Sequence, residues 1–324
     1  GLKRLRNRRE TVEVSSCQPV DMTPFYAALP FPLTGAQRRS IEEAIADMRS
    51  GRPMNRLCQG DVGSGKTMVA AACVYFMVRN GRQAALMAPT EILAQQHYAG
   101  LAPFLENMGI RCALLTGSTT AKTKRSICAQ LQSGEINFAI GTHALISQGV
   151  EYADLGLVVT DEQHRFGVAQ RSALSAKGHT PHMLVMSATP IPRTLSLIIF
   201  GDLDLSIIDQ MPRGRLPIET YSIGEDKRKR MEAFLLKQVQ EGGQAYIVCP
   251  LIEESEVSDR QSAEEYITRL SKALPMLRIG LMHGKLPAKE KEAVMAEFAA
   301  GLLDVLVSTT VIEVGIDVPN ANLM

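Results

Sequence analysis

A chain of 324 residues, 45% of them hydrophobic, holds enough apolar material for two cores and excludes a single small fold. A formal net charge of +1 excludes a protein that binds nucleic acid through overall basicity, so any such binding must come from local placement of Lys and Arg. The six cysteines, Cys17, Cys58, Cys73, Cys112, Cys128 and Cys249, form no CxxC pair and have no His at ligand spacing, which excludes a zinc-ribbon pattern and leaves reduced, buried thiols.

Residues 1–30 combine a basic run, KRLRNRR, with a proline-containing stretch ending in LPFPLTG, and read as a linker or the tail of an upstream domain. From Thr34 onward helices alternate with short runs rich in Val, Ile, Leu and Ala, the pattern of β-α repeats around a parallel sheet. The candidate strands are RLCQ, AALMA, CALLT, FAIGT, LGLVVTD and MLVMSA, with Gly60, Pro89, Gly117, Gly141 and Pro190 close behind them. In open α/β sheets the active residues gather beyond the carboxyl ends of the strands. IDQMPRGRLPIET breaks the rhythm with two prolines and a glycine and reads as an interdomain linker. A second α/β set follows, with strands near IETYS, AYIVCPL, RIGLMHG and DVLVSTT, giving expected domains over residues 31–210 and 211–324. The pattern holds no low-complexity segment or short tandem repeat. GLKRLRNRRE lacks the apolar segment of a signal peptide, and no run approaches the roughly 20 apolar residues of a membrane span, so no membrane partner and a cytoplasmic location are expected. The chain opens without Met and stops at NANLM directly after an apolar segment, so a longer parent is expected.

QGDVGSGKTM carries the chemistry. Gly60, Gly65, Lys66 and Thr67 fit GxxxxGK[ST], behind the strand RLCQ and ahead of the helix-compatible MVAAACVYFMV. Glycines let successive N–H groups turn toward phosphate oxygens, and the helix N-terminus adds its partial positive charge. With Asp61, Gly63 and Ser64 this segment reads as a nucleotide-binding loop, Lys66 bridging the terminal phosphates of ATP and the Thr67 hydroxyl ligating Mg²⁺. The alternative, a glycine-rich turn with a solvated lysine, loses its weight once the strand and helix are in place.

Hydrolysis needs a second anion for the metal and a base to direct water, at the end of a neighbouring strand. LGLVVTDEQH supplies both: Asp161 would hold Mg²⁺ through its water shell and Glu162 would orient the attacking water. Alone, an apolar strand ending in Asp-Glu is as well explained by ordinary strand capping. Gln163 and His164 read as γ-phosphate sensors or domain-coupling residues, with plain loop polarity as the alternative. His97, His179, His182 and His283 lack ligand-spaced partners, so no protein-bound metal is expected beyond the Mg²⁺ of the nucleotide. KRLRNRR and DKRKR read as solvated faces.

The ordered series QGDVGSGKT, APTEILAQQH, TGS, GTHAL, DEQH, SATPIPRT and TTVIEVGIDVPNA resembles the motif series of superfamily 2 helicases, over residues 31–324. Within it, LPFPLTGAQ, DEQHRFGVAQR, SATPIPRTL and LIEESE resemble the bacterial branched-DNA helicases. The transcription-repair coupling translocases, the alternative family, share HRFGV and ATPIPRTL but typically carry an aromatic residue where Ser64 stands and an acidic one where Gln163 stands. The resemblance implies two RecA-like α/β domains with parallel sheets flanked by helices, a P-loop NTPase fold whose second domain is truncated here. It implies ATP in the cleft between the domains and DNA across their top.

Residue by residue, the resemblance implies that Gln37 reads the adenine edge and Phe31 stacks on the base, although Gln37 taken alone reads as a helix N-terminal polar residue. Ser187 and Thr189 would couple hydrolysis to domain movement, and Gly315 and Asp317 would close on the nucleotide from the second domain, Asp317 toward the ribose. Thr90 and Glu91, Thr116 and Gly117, Thr142 and His143, and Thr309 stand at helix starts or strand ends where N–H groups can receive DNA phosphates without reading sequence. Each of these alone is more often plain capping.

The activity implied is ATP-dependent DNA helicase action on branched or forked DNA, remodelling stalled forks and Holliday junctions by a monomer, with a single-stranded DNA-binding protein as a further candidate partner. The resemblance also calls for a QxxGRxGR helix after GIDVPNA, an upstream OB-fold wedge and a downstream hook. An arginine finger is worth about 10³ to 10⁵ in rate, so slow hydrolysis is expected of these residues alone. A reading from a different class is a non-motor nucleotide switch. Glu162 argues against it, since a pure switch needs no water-directing carboxylate.

Overall fold

The computed structural model describes residues 17–147, 149–161, 180–188, 203–212, 218–249, 256–283, 286–309 and 318–324. The chain forms two compact units, Gly1–Leu216 and Pro217–Met324. The first contains, in order, α1 (Thr23–Ala28), α2 (Gly35–Met48), β1 (Asn55–Gly60), α3 (Lys66–Arg79), β2 (Gln83–Met87), α4 (Glu91–Glu106), β3 (Cys112–Leu115), α5 (Ala121–Gln132), β4 (Phe138–Gly141), β5 (Leu155–Asp161), β6 (His182–Ser187) and β7 (Asp204–Ile208). Its strands lie in the order β3-β4-β2-β5-β6-β1-β7, and every pairing is parallel.

Strands covered on both faces by helices read as unbroken apolar runs, and β2, β4 and β5 are buried at every residue. Helix α3 is buried from Val69 through Met77, so it carries no amphipathic stripe and sits as a central strut under the sheet. Arg56 of β1 is the polar exception: its guanidinium reaches Asp47 at 2.8 Å, Glu43 at 3.0 Å and the Ser206 hydroxyl at 2.8 Å, tying β1 to α2 and β7. The stretch expected as a linker contains α1, whose Phe25 is fully buried against the rings of Tyr75 and Phe104. Burying one such ring stabilises by about 1.5–3 kcal/mol, enough to dock a short helix that periodicity does not reveal.

The second unit contains α6 (Arg228–Gln240), β8 (Gln244–Val248), α7 (Glu256–Ala273), β9 (Ile279–Met282), α8 (Ala288–Ala299), β10 (Val305–Ser308) and β11 (Ala321–Leu323). Its sheet has the order β11-β8-β10-β9, again all parallel. IETYS, expected as a strand, is irregular: Ile218 is 79% exposed and Tyr221 75%, with no partner strand among the described residues. Strands β7 and β11 carry no expectation from sequence.

One constant shift in residue number superimposes part of the first unit on the second without a gap. It carries β3 to β9, α5 to α8 and β4 to β10, end for end. It also carries Gly134 to Gly301, both at positive φ (78° and 72°) where the chain leaves a helix for a strand. Gln83 donates to the carbonyls of Leu131 (2.9 Å) and Ile136 (2.7 Å), and Gln244 to those of Phe298 and Leu303 (both 2.7 Å), which are equivalent positions under the same shift. All six cysteines are free, and burial pushes the Cys58 and Cys112 thiols up to about 12.

Candidate nucleotide site and nucleic-acid edge

Strand register places the candidate residues on one edge. Asp161 pairs with Met186, Met186 pairs with Cys58, and Gln59 pairs with Ser187, so the ends of β5, β6 and β1 lie nearly level and the glycine loop begins just beyond them. The loop turns at Gly63 (φ 78°) and Gly65 (φ 86°), and α3 starts at Lys66, with Met68 N donating to the Gly65 carbonyl at 3.0 Å. A Cβ on Gly60 would lie 2.6 Å from the Ser64 hydroxyl, and one on Gly65 2.1 Å from Nε2 of Gln37, so neither position admits a side chain in this arrangement. Lys66 Nζ donates to the carbonyls of Gly60 (2.7 Å) and Asp61 (2.9 Å), curling back over the loop. The Ser64 hydroxyl is buried without a hydrogen-bond partner. A backbone cradle, a lysine resting on carbonyl oxygens and an orphaned hydroxyl fit a polyphosphate, whose oxygens would replace the carbonyls as the lysine's acceptors.

Gln37 is 1% exposed and both ends of its amide are bonded. Oε1 accepts from Thr34 N (2.8 Å), Thr34 Oγ1 accepts from Gln37 N (3.2 Å), and Nε2 donates to the Ser64 carbonyl (2.8 Å). This capping box starts α2 and braces the glycine loop in one side chain. Reading an adenine edge would fall to the second N–H and second lone pair of this buried amide. Phe31 stands 43% exposed nearby in sequence. Gln210, which the sequence did not single out, accepts from Ala36 N at 3.1 Å, and Arg39 reaches Asp209 at 3.4 Å, so the segment after β7 is pinned to α2.

Asp161 is 9% exposed, and its Oδ2 lies 2.7 Å from Nε2 of His97, a residue on α4. Sequence spacing excludes His97 as a metal ligand and gives it no other role. The signal available was helical phase: His97 falls about two turns after Thr90, on the same face of a helix that begins beside β5. Ser187 is 1% exposed at the end of β6, and Thr67 is half-buried in the first turn of α3. Glu162, Gln163, His164, Thr189, Gly315 and Asp317 lie outside the described residues.

The remaining candidates follow β2, β3 and β4 in the first unit and, for Thr309, β10 in the second. Thr90 caps α4 by accepting from Leu93 N at 3.4 Å, while Glu91 accepts from Ser118 N at 3.0 Å and from the Ser118 hydroxyl at 2.6 Å. Glu91 therefore fixes the TGS loop rather than offering a free carboxylate. Thr116, Thr142 and, in the second unit, Thr309 are 4%, 2% and 3% exposed, so their hydroxyls lie below the surface; Gly117, Ser118 and His143 of the first unit are exposed.

Residues 34–198 match the family model described as DEAD/DEAH box helicase, and residues 226–324 match that of the helicase conserved C-terminal domain. The chain belongs to the DEAD/DEAH box helicase family. Among curated relatives, the ATP-dependent DNA helicase RecG of Bacillus subtilis (strain 168) is 52% identical over 305 residues, 94% of this chain and 45% of that protein. RecG of Thermotoga maritima is 52% identical over 301 residues, 93% of this chain and 39% of that protein. A solved structure of RecG bound to a three-way DNA junction superposes with a TM-score of 0.85 at 45% identity, covering 99% of this chain and 42% of that one. This DEAD/DEAH box chain thus spans less than half the length of the curated relatives it matches, and its two parallel sheets are the RecA-like halves of a helicase core. No helix among the described residues is long and apolar enough to cross a membrane.

Proposed function

We propose that this chain is the motor core of an ATP-driven DNA helicase of the RecG type, which couples hydrolysis to the remodelling of branched DNA such as stalled forks and Holliday junctions in recombination and repair. The observation that carries the reading is the glycine loop, with Lys66 held over the Gly60 and Asp61 carbonyls and Ser64 left without a partner. The β- and γ-phosphates of ATP would take those places, and Lys66 and the N–H groups at the start of α3 would hold them. Thr67 and Asp161 would hold Mg²⁺, which supplies neutralisation of the charge developing on the transferred phosphoryl oxygens.

Glu162 would direct water, with Gln163 and His164 sensing the γ-phosphate and Ser187 and Thr189 transmitting its loss. Gly315 and Asp317 would approach the same nucleotide from the second unit, and Phe31 would stack on the base. Gln37 acts first as a brace, holding the loop through Ser64. Thr90, Gly117 and His143 would meet the DNA backbone, with Glu91, Thr116 and Thr142 shaping that edge from below and Thr309 doing the same in the second unit. Phosphate contacts of this kind carry no base preference, so recognition by DNA shape is expected. The reading puts the protein in the cytoplasm as a monomer, with a single-stranded DNA-binding protein as a candidate partner.

ATP turnover of the full-length protein with linear duplex, single strand and a forked junction tests this directly. Junction-selective stimulation, abolished in Lys66→Ala and in Glu162→Gln, is the expected result. Turnover indifferent to the form of the DNA would sink it in favour of a nucleotide switch.

A further inference from the structure

Strand order divides the carboxyl edge of the first sheet into two neighbouring sets. Thr116, Thr142 and Thr90 follow β3, β4 and β2, whereas Asp161, Ser187 and Gly60 end β5, β6 and β1. The border between the sets runs between β2 and β5, and His97 crosses it: carried on α4, the helix that follows β2, it bonds the carboxylate that ends β5. The contact is enclosed, with the two side chains only 11% and 12% exposed. The same helix has its first turn fastened to the TGS loop through Glu91 and Ser118. A chain of direct bonds therefore runs from the TGS loop through α4 to Asp161.

We propose that His97 is a positioning residue, whose Nε2–H fixes the Asp161 carboxylate in the orientation from which it serves the Mg²⁺ of bound ATP and ties that orientation to the DNA-facing start of α4. The inference rests on the reading of Asp161 as the metal's partner. A carboxylate offers only acceptors, so the hydrogen in this bond sits on Nε2. With Oδ2 held by the imidazole, Oδ1 is the oxygen that would serve the ion. Partners that orient a metal-binding group in this way are typically worth about 10–100-fold in metal affinity. Because α4 is a rigid element, a shift of its first turn on contact with a phosphate displaces His97 and hence the carboxylate.

The test is equilibrium binding of a fluorescent ATP analogue to the full-length protein, in EDTA and across a Mg²⁺ titration, with and without forked DNA. His97→Leu is expected to leave binding in EDTA unchanged and to raise the Mg²⁺ midpoint by about 10–100-fold. His97→Gln, whose amide N–H can reach the same oxygen, is expected to restore the midpoint. Forked DNA should move the midpoint of the unaltered protein and not that of His97→Leu.

A wild-type midpoint in His97→Leu overturns the proposal, and a midpoint indifferent to DNA in the unaltered protein overturns the link through α4. Should His97→Leu not fold, His97→Asn replaces it, because its amide occupies the place of Nδ1 rather than Nε2; equal midpoints for Asn and Gln then overturn the proposal. Lys66→Ala that still binds nucleotide, or Asp161→Asn that keeps the Mg²⁺ dependence, would bring down the reading of the site itself, and the proposal with it.

Discussion

His182 opens β6 with its ring buried and its Nδ1 accepting from Met54 N at 2.9 Å, so the ring hydrogen sits on Nε2, which has no partner. Burial, and after it the positive charge of Arg82, pushes this imidazole down from its ordinary 6.5 to about 4. The native state thus binds fewer protons than the unfolded chain between those values. Stability from this group is fully present above about pH 6.5, drains as pH falls through the window, and levels off below about pH 4, a loss of about 3 kcal/mol. His182→Asn keeps an acceptor for Met54 N and cannot titrate. Urea midpoints measured on either side of the window should converge in that variant and separate in the unaltered protein. None of this is written in the sequence, where His182 is one polar residue before an apolar run. The glycine loop is the opposite case, because contiguous residues supply its whole geometry. Gln37 lies between: its spacing from Thr34 marks a helix start, but its bond to Ser64 needs the loop to have folded beside it.

Gln83 and Gln244 show what single side chains do for whole elements. Each enters a strand from its buried end and holds the turn between a helix and the next strand, Gln83 also accepting from Asp154 N at 3.1 Å. Gln83→Leu would strand the Ile136 carbonyl and the Asp154 amide, while the Leu131 carbonyl keeps the Gly134 and Ala153 N–H groups, with an expected loss of about 3 kcal/mol in chemical denaturation of the first unit. Loss of under about 1 kcal/mol would mean that water replaces the clamp. The strands themselves were legible wherever both faces are covered, since such strands write unbroken apolar runs. β7 was not: its burial alternates, Ile207 is 49% exposed, and an edge strand with an acidic first residue leaves a weak trace. IETYS erred the other way, since Ile, Thr and Tyr favour strands but this stretch has no described neighbour to pair with.

For the molecule as a whole, each unit has its own core, so their local stabilities can be read separately. Nucleotide at about 100 times its dissociation constant stabilises whatever binds it by about 2.7 kcal/mol. Hydrogen exchange of the full-length protein should therefore slow at the ends of β1 and β5 when ATP analogue is added, and Lys66→Ala should erase the effect. Exchange there that ignores the nucleotide would remove the loop from the binding site. The motif order from the glycine loop to TTVIEVGIDVPNA pointed to this architecture because each motif is short and sits at a strand end. The gapless correspondence between the two units is weak in sequence because its identities are scattered, among them Ala121 with Ala288, Lys122 with Lys289, Gly134 with Gly301 and Thr142 with Thr309.

That correspondence has a practical use. Ser133 and Ala300 occupy the same place in the two units, both exposed, both beside a left-handed glycine, and both on the amino-terminal margin of the sheets. Once the six native thiols are replaced, dyes attached at these two points form a matched ruler. Equivalent backbone positions mean that a change in energy transfer on adding nucleotide reports the separation between the halves, once each label's own mobility has been measured.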